Sequence, residues 1–181
     1  MTTMRHSKIT FTGCWSADKK MVRINRICAH PRWNESVKKI HALERDRIFC
    51  KHDIAHFLDV ARIAYIEDLE NGLGIPKEEI YAAALLHDIG RHLQYTQGVP
   101  HEQASAMEAE GILKDCGFSE EEQKTILNAI LQHRTQNMEQ AGSDLAGLIY
   151  RADKASRACL FCAACRECNW SKDRKNLTLT R

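Results

Sequence analysis

Helical periodicity is the feature of this sequence that most restricts its fold. Apolar residues recur three, four and seven positions apart in one segment after another, and almost no stretch alternates apolar and polar residues as a strand does. The chain has 181 residues, of which 44% are hydrophobic, so it is long enough to bury one sizeable core. The sequence therefore predicts an all-α, single-domain helical bundle.

Caps and breakers divide this pattern into segments. Three of the predicted helices lie at 20–29, 53–70 and 101–116. A further helix begins after Pro31 and carries Trp33, Val37 and Ile40, and another contains YAAALLHDIG and ends near Gly90. The last two begin at the Ser119–Glu122 capping box and at about residue 143, the latter running through LAGLIYRADKAS. A loop is predicted at 97–100. Residues 1–18 are expected to form a flexible extension, residues 19–158 the helical domain, and residues 159–181 a Cys-rich segment packed on the domain or trailing it.

Charge and hydropathy exclude several classes of protein. The net charge of +2 is too small to indicate binding to nucleic acid or to an anionic membrane. No window reaches the roughly 18 consecutive apolar residues of a spanning helix, and the N-terminus lacks the apolar core of a secretory signal. We therefore expect a cytoplasmic protein with reduced thiols, and the sequence leaves its oligomeric state open.

Four predicted helices carry ionisable or imidazole groups on the same face as their apolar residues. These groups are His56, His133, Asp153, and the pair His87 and Asp88, which are neighbours in the sequence. A single histidine in such a place is usually a hydrogen-bonded core residue, but buried carboxylates are costly unless they are paired. Metal ions offset that cost, and helical bundles are known to hold them. The pattern favours an open, catalytic site for Fe, Mn, Co, Zn or Mg.

Three segments carry a resemblance to a known family. HFLDVARIA, ALLHDIGR and IYRADKASR, in this order, resemble the HD-domain metal-dependent phosphohydrolase superfamily over about residues 50–157. The resemblance implies a helical bundle of the HD-domain type and one or two bound divalent ions. The implied ligands of the first ion are His56, His87, Asp88 and Asp153; those of a second are His101, His133 and a bridging Asp88. The alternative for His101 is a helix-start residue without a ligand role.

The sequence departs from common patterns of this superfamily at three points. Arg91 stands where a lysine often follows the His-Asp pair, and Arg134 stands where some two-metal members have a second histidine. No Gly-Tyr-Pro signature follows the pair, which argues against the branch that hydrolyses cyclic dinucleotides.

The resemblance also implies a reaction. A metal-activated hydroxide would attack a nucleotide, a dinucleoside polyphosphate or a small phosphate ester, with two ions about 3.5–4 Å apart. Asp88, Arg91 and Lys154 are the predicted catalytic residues. Arg91, Arg134 and Lys154 are predicted to bind phosphate oxygens, although each is equally well explained as a surface charge. His52 and His92 are the two candidates for protonating the leaving oxygen.

Two alternative functions use the same residues. A di-iron oxygenase would employ the same ligand set, as some members of the superfamily do. A nucleotide-sensing module would bind without turnover, but a complete ligand set argues against it.

An Ala-Asp-Lys sequence around Asp153 is similar to that of enzymes that hydrolyse dinucleoside polyphosphates, so a phosphorylated small molecule, most simply a nucleotide, is the expected partner.

A run of cysteines near the C-terminus is the other unusual feature. Its members are Cys159, Cys162, Cys165 and Cys168. Their spacing is compatible with a Zn or iron–sulfur site, with ordinary buried thiols, or with redox chemistry. The spacing differs from that of ferredoxins, and a straight helix would spread the four sulfurs around its axis. Cys50 and Cys116 are expected to be core residues.

Overall fold

The structure of this chain is a computed structural model that describes residues 21–135 and 144–179. Within these ranges every regular element is helical, which confirms the all-α prediction. The α-helices are α1 (Val22–Ala29), α2 (Pro31–Leu43), α3 (Ile54–Asn71), α4 (Lys77–Leu86), α5 (Arg91–Gln97), α6 (His101–Cys116), α7 (Glu120–Gln132) and α8 (Leu145–Ala155). Two short 3₁₀ helices follow, Cys159–Phe161 and Lys172–Arg174. The extension predicted at 1–18 lies outside the described residues.

Capping residues begin and end the helices where the sequence indicates. Asp53 and Asp144 each accept a hydrogen bond from the backbone N–H three residues further on, which fixes the starts of α3 and α8. Ser119 and Glu122 form the predicted capping box of α7. Gly72 ends α3 in a left-handed conformation, with φ 61°.

The segment around Gly90 differs from the prediction. Helix α4 ends at Leu86, the residues 87–90 form a turn, and α5 then begins at Arg91. The prediction of one helix ending near Gly90, with no helix after it, is therefore wrong in detail. Helix α5 has only 7 residues and one buried side chain, so it has too few apolar positions to show a period.

The core lies between α3, α4, α7 and α8, which pack against one another. The second half of α4 is deeply buried, and each residue from Ala82 to Leu86 is inaccessible or nearly so. Trp33 of α2 donates a hydrogen bond from its indole nitrogen to the Leu85 carbonyl oxygen at 2.9 Å. The turn that follows α4 is thus held at the centre of the molecule.

The segment after α8 packs on the helical domain. The Asn176 side chain donates to the carbonyl oxygens of Lys154 and Ala155, among the last unpaired acceptors of α8, and to that of Arg157 just beyond the helix. The backbone N–H of Leu160 donates to the Asn176 carbonyl oxygen at 3.0 Å. These bonds bring residues 159–179 back to the end of α8.

Cysteine burial agrees with one prediction and corrects another. Cys116 is buried in the core, as expected, whereas Cys50 is exposed. Cys50 lies in the irregular connection between α2 and α3, which has no apolar face to place a side chain inside. Separately, none of the described helices combines the length and hydropathy that a membrane span needs.

We expect Gly90→Ala to lower the free energy of unfolding by about 1–3 kcal/mol, the usual cost of overpacking. A Cβ atom on Gly90 would lie 2.3 Å from the Ser105 backbone nitrogen and 2.5 Å from the Ala104 carbonyl carbon, and backbone cannot move aside. Urea unfolding measures the change.

Gly111→Ala is the matched control for this prediction. A Cβ there meets only the mobile guanidinium end of Arg32, at 2.6 Å, and alanine is favoured inside a helix. We expect the control to keep or raise stability. Equal stabilities of the two variants would contradict the close approach at Gly90.

Candidate metal centre

The structure brings the six predicted metal ligands together at the ends of five helices. His56 lies in the first turn of α3 and His101 is the first residue of α6; His87 and His133 directly follow α4 and α7; Asp153 lies in the last turn of α8; Asp88 lies in the turn before α5. The helix ends that carry these residues converge on the turn at 87–90, so residues that are far apart in sequence lie close together there. Their roles as ligands stay predictions.

One group of ligand atoms consists of His56, His87, Asp88 and Asp153, all within 4.8 Å of one another. The Asp88 Oδ2 atom lies 3.3 Å from His87 Nε2 and 3.6 Å from His56 Nε2. His56 Nε2 is also 3.6 Å from Asp153 Oδ1. Two imidazoles and two carboxylates thus surround one point, which is a ligand set typical of divalent transition metals.

The second group consists of Asp88, His101 and His133. Here the other carboxylate oxygen of Asp88, Oδ1, lies 3.2 Å from His101 Nε2 and 3.6 Å from His133 Nε2. Burial lowers the pKa of His101 to about 2, so its imidazole is neutral, as a metal ligand must be. Asp88 is therefore shared: each of its oxygens faces a different pair of histidines.

Several buried polar atoms at this point have no hydrogen-bond partner among the residues that the structure describes. They include His56 Nε2, His87 Nε2 and both carboxylate oxygens of Asp88. Arg91 Nε lies 2.9 Å from Asp88 Oδ2, but this ion pair lacks the alignment of a hydrogen bond. An unsatisfied buried polar group costs about 1–3 kcal/mol, and divalent cations would satisfy all of these acceptors together. The residues present therefore fit bound metal ions.

Backbone carbonyls orient two of the histidines. The Nδ1–H of His87 donates to the Ala84 carbonyl oxygen at 2.8 Å, and that of His133 donates to the Ile130 carbonyl oxygen. Both imidazoles follow a helix, so the carbonyl three residues earlier is within reach. These bonds fix the tautomer that leaves the Nε2 lone pair facing Asp88.

Neighbouring cations keep both carboxylates ionised. Burial raises the pKa of Asp88, but His87 and Arg91 outweigh it and hold that pKa well below the usual value. Burial likewise raises the pKa of Asp153, but Lys154, whose Nζ is 2.6 Å from Asp153 Oδ2, and His87 together outweigh burial and hold that pKa below its usual value. Conversely, Asp88 raises the pKa of His87 against the effect of burial, so protons and metal ions compete for His87.

A cavity of about 430 Å³ opens above the first group, with His56 and Asp153 in its lining. Seven cationic side chains line it and Asp153 is the one acid among its lining residues. The cationic residues are Arg47, Lys51, Arg91, Arg134, Lys154, Arg157 and Arg174. The three predicted phosphate-binding residues are all among them. The side chains of Arg91 and Lys154 are only 12% and 27% exposed, which disfavours the surface-charge interpretation for these two.

The other four cations could not be predicted from the sequence. Arg47 and Lys51 lie in the connection between α2 and α3, and Arg157 and Arg174 lie after α8. Residues in irregular segments have no period, so their direction cannot be predicted from spacing alone.

His52 also faces the site, and Glu44 holds it there. The Nε2 atom of His52 lies 3.8 Å from Asp88 Oδ2, while its Nδ1–H donates to Glu44. The Tyr95 hydroxyl and the His52 backbone N–H donate to the same carboxylate. Burial raises the pKa of Glu44, but these bonds prevail and lower it to about 2. Glu44 and Tyr95 are not among the residues predicted from the sequence. A prediction of α5 would have indicated Tyr95, because it follows Arg91 by four residues and therefore lies on the same face of that helix.

His92 does not share this position. Its Nε2 atom contacts Glu108 Oε1 at 2.8 Å, and Ser36 donates to the other oxygen of Glu108. The described cavity lining does not include His92. Of the two candidates for proton transfer, the structure places only His52 at the site.

The cysteine run is not part of the metal centre. Neither group of closely spaced ligand atoms in the described residues contains a cysteine. Residues 159–168 form a 3₁₀ helix followed by turns rather than a straight α-helix. The Zn or iron–sulfur site predicted from these four cysteines alone therefore stays a prediction.

Comparison with known proteins agrees with the fold. The profile of the HD domain family matches residues 53–158. An uncharacterized protein of Clostridium beijerinckii is 45% identical over 159 residues, which cover 88% of this chain and 99% of that one. The crystal structure of a predicted HD superfamily hydrolase from an uncultured Thermotogales bacterium aligns with a TM-score of 0.59 at 22% identity, covering 81% of this chain and 80% of that one, which shows the fold. This chain belongs to the HD-domain family.

Proposed function

We propose that this protein is a metal-dependent phosphohydrolase that acts on a nucleotide, a dinucleoside polyphosphate or a small phosphate ester. The observation that carries the proposal is an ionised, fully buried carboxylate, Asp88, shared by two histidine pairs beneath a cavity with seven cationic side chains. Oxygen and imidazole donors indicate divalent metals, and the cations indicate an anionic substrate. The name of the Thermotogales protein, a predicted hydrolase, is consistent with this reaction.

The two groups of ligand atoms would suit two metal ions at adjacent positions. His56, His87, Asp88 and Asp153 would hold one ion, and Asp88, His101 and His133 the other. When bound, two such ions lower the pKa of a water molecule to near neutrality and polarise the phosphoryl group. The protein residues keep the carboxylates ionised and the imidazoles oriented, as described above.

The cationic lining would bind the phosphate oxygens. Lys154 and Arg91 lie next to the proposed ligands Asp153 and Asp88, so they are placed for the phosphoryl group that reacts. The remaining arginines and lysine also line the cavity and would suit additional phosphates. Phe49 and Trp170 also line it, which favours a substrate with an aromatic base.

His52 is suited to move a proton during the reaction. Ionised Glu44 accepts its Nδ1–H, so the Nε2 atom keeps a fixed direction toward the metal centre. In this arrangement Glu44 and Tyr95 are positioning residues, and His52 transfers the proton at Nε2.

A substrate panel tests the reaction, and Arg134 tests the role of the cations. We expect phosphate release from nucleotides or phosphate esters in the presence of Mn, Fe, Co, Zn or Mg. Arg134→Met should raise KM for the best substrate about tenfold, the effect of losing about 1.4 kcal/mol of binding, and change kcat less. Arg134 is exposed, so the fold should tolerate the change.

Arg45→Met is the matched control for this experiment. Arg45 is a similarly exposed arginine that pairs with Asp46 and does not line the cavity. Its KM should equal that of the wild type. Equal KM values for the two variants would contradict substrate binding by Arg134.

The other two functions predict different results. A di-iron oxygenase on the same ligands would consume oxygen with reduced iron and release no phosphate across the panel. A sensing module would bind a nucleotide tightly without turnover. The density of cationic side chains favours the phosphohydrolase, because an oxygenase has no general need for them.

A further inference from the structure

We propose that Cys50, Cys159, Cys162 and Cys168 bind one zinc ion through their thiolates, in a site separate from the His/Asp centre. The site would fasten the segment after α8 to the connection between α2 and α3. This inference does not rest on the proposed function, because none of its four ligands is assigned to the reaction.

The position of Cys50 is the first argument. Cys50 precedes α3 and the other three cysteines follow α8, yet Cys50, Cys159 and Cys168 line the same cavity. Arg157 and the thiols of Cys159 and Cys162 are also near enough to the Cys50 sulfur to act on it electrostatically. Thiols from two distant segments therefore lie around the same cavity.

The spacing of the run is the second argument. Cys159 and Cys162 form a Cys-x2-Cys pair, the ligand spacing of structural zinc sites, and the backbone N–H of Cys162 closes a turn onto the Cys159 carbonyl oxygen at 3.2 Å. A zinc site needs two more ligands. Cys50 and Cys168 are the remaining thiols that share the cavity with Cys159.

Cys165 is excluded by its position. It does not line the cavity that Cys50, Cys159 and Cys168 share, and it lies outside the Cys159–Cys162 pair. The set derived from the sequence, four cysteines of one run, is thus changed by exchanging Cys165 for Cys50. An iron–sulfur cluster is not expected, because the run lacks the three-residue spacer and proline of ferredoxins.

Charge is the third argument. Thiolates packed together repel one another, and a divalent cation removes that repulsion. A zinc ion with four thiolates keeps a charge of −2. Arg157 lies near Cys50, and Lys175 Nζ donates to the carbonyl oxygens of Cys165 and Cys168 at 2.8 and 3.0 Å. These two cations match the residual charge.

Metal binding requires the sulfurs to draw closer. No group of ligand atoms within 4.8 Å in the described residues includes a cysteine. The four residues are exposed or half-buried and lie in loops, turns or a short 3₁₀ helix, so rotation of their side chains meets little packing. All four are free thiols, which leaves their sulfurs available as ligands.

Metal analysis of the full-length protein, purified under reducing conditions, tests the proposal. Asp88→Asn should lose the metals of the His/Asp centre and retain about one zinc per chain, since a closed thiolate site holds a single ion. On that background Cys50→Ser should lose the zinc and Cys165→Ser, the matched control, should keep it. Zinc retained in Cys50→Ser, or lost in Cys165→Ser, would overturn the assignment.

Alkylation of the unmutated protein provides a second test that does not depend on the folding of variants. With zinc bound, iodoacetamide should modify Cys165 and spare the four proposed ligands; after chelation all five should react. The same modification pattern before and after chelation, a disulfide involving Cys50, or the visible absorption of an iron–sulfur cluster would each refute the site. None of these results bears on phosphate release, so the two proposals fail separately.

Discussion

Asp88→Asn is expected to remove the metal ions from both histidine groups. It should also lower kcat/KM for phosphate release by at least about 10³-fold, which is a larger loss than removal of a single stabilising hydrogen-bond donor, or of a residue that contacts a metal ligand, usually causes. Asp88 is the residue whose two oxygens face both groups, with Oδ2 toward His56 and His87 and Oδ1 toward His101 and His133. Asparagine keeps the shape of the side chain but supplies no negative charge. Metal analysis and initial rates measure the two effects on one preparation.

Two further variants make this result specific. Asp59→Asn changes a half-exposed carboxylate of α3 that pairs with Arg62, and it should leave metal content and rate unchanged. His101→Ala removes a ligand from the second group alone, so it should retain the ion held by the first. A variant Asp88→Asn that keeps the metal ions and turns over at the wild-type rate would contradict the shared-carboxylate arrangement.

His52→Gln is expected to lower kcat by about 10²–10⁴-fold, the usual contribution of a general acid or base, with metal content unchanged. His52 reaches toward Asp88 with Nε2 but lies in neither group of closely spaced ligand atoms, so its loss should affect proton transfer rather than metal binding. Added imidazole should restore part of the rate. Glu44→Gln should act in the same direction with a smaller loss, about 10–100-fold, because it weakens only the orientation of His52.

His92→Gln is the comparison for this prediction. His92 is as well buried as His52 but contacts Glu108 outside the cavity, so the folded variant should keep the wild-type kcat. Equal losses in the two variants, or loss of metal from His52→Gln, would show that His52 has no separate role in proton transfer.

Much of the fold could be predicted from the sequence because helix caps and periodic apolar residues are local signals. The capping box at Ser119, the glycine at Gly72 and the caps at Asp53 and Asp144 all act within a few residues of the chain. The same periodicity indicates most of the predicted His/Asp set, namely His56, His87, Asp88, His133 and Asp153, because it shows which polar residues point into the core. His101 is the exception, since only the resemblance to the HD-domain superfamily indicates it.

The remainder depended on contacts between segments that have no period. Helix α5 is too short to be recognised, and Glu44, which holds His52, follows the end of α2. Cys50 was assigned to the core because cysteine is usually buried, yet it lies beside residues more than 100 positions later in the chain. Tertiary structure, rather than local pattern, places these groups.

Metal-dependent phosphate release by a single preparation is the most direct measurement of the central claim. The protein is stripped with a chelator, the metal content is measured, and the initial rate of phosphate release is followed as Mn, Fe, Co, Zn or Mg is returned. We expect no release from the stripped protein and a rate that rises in proportion to the metal bound at the His/Asp centre. Release at the full rate by the metal-free protein would contradict the account.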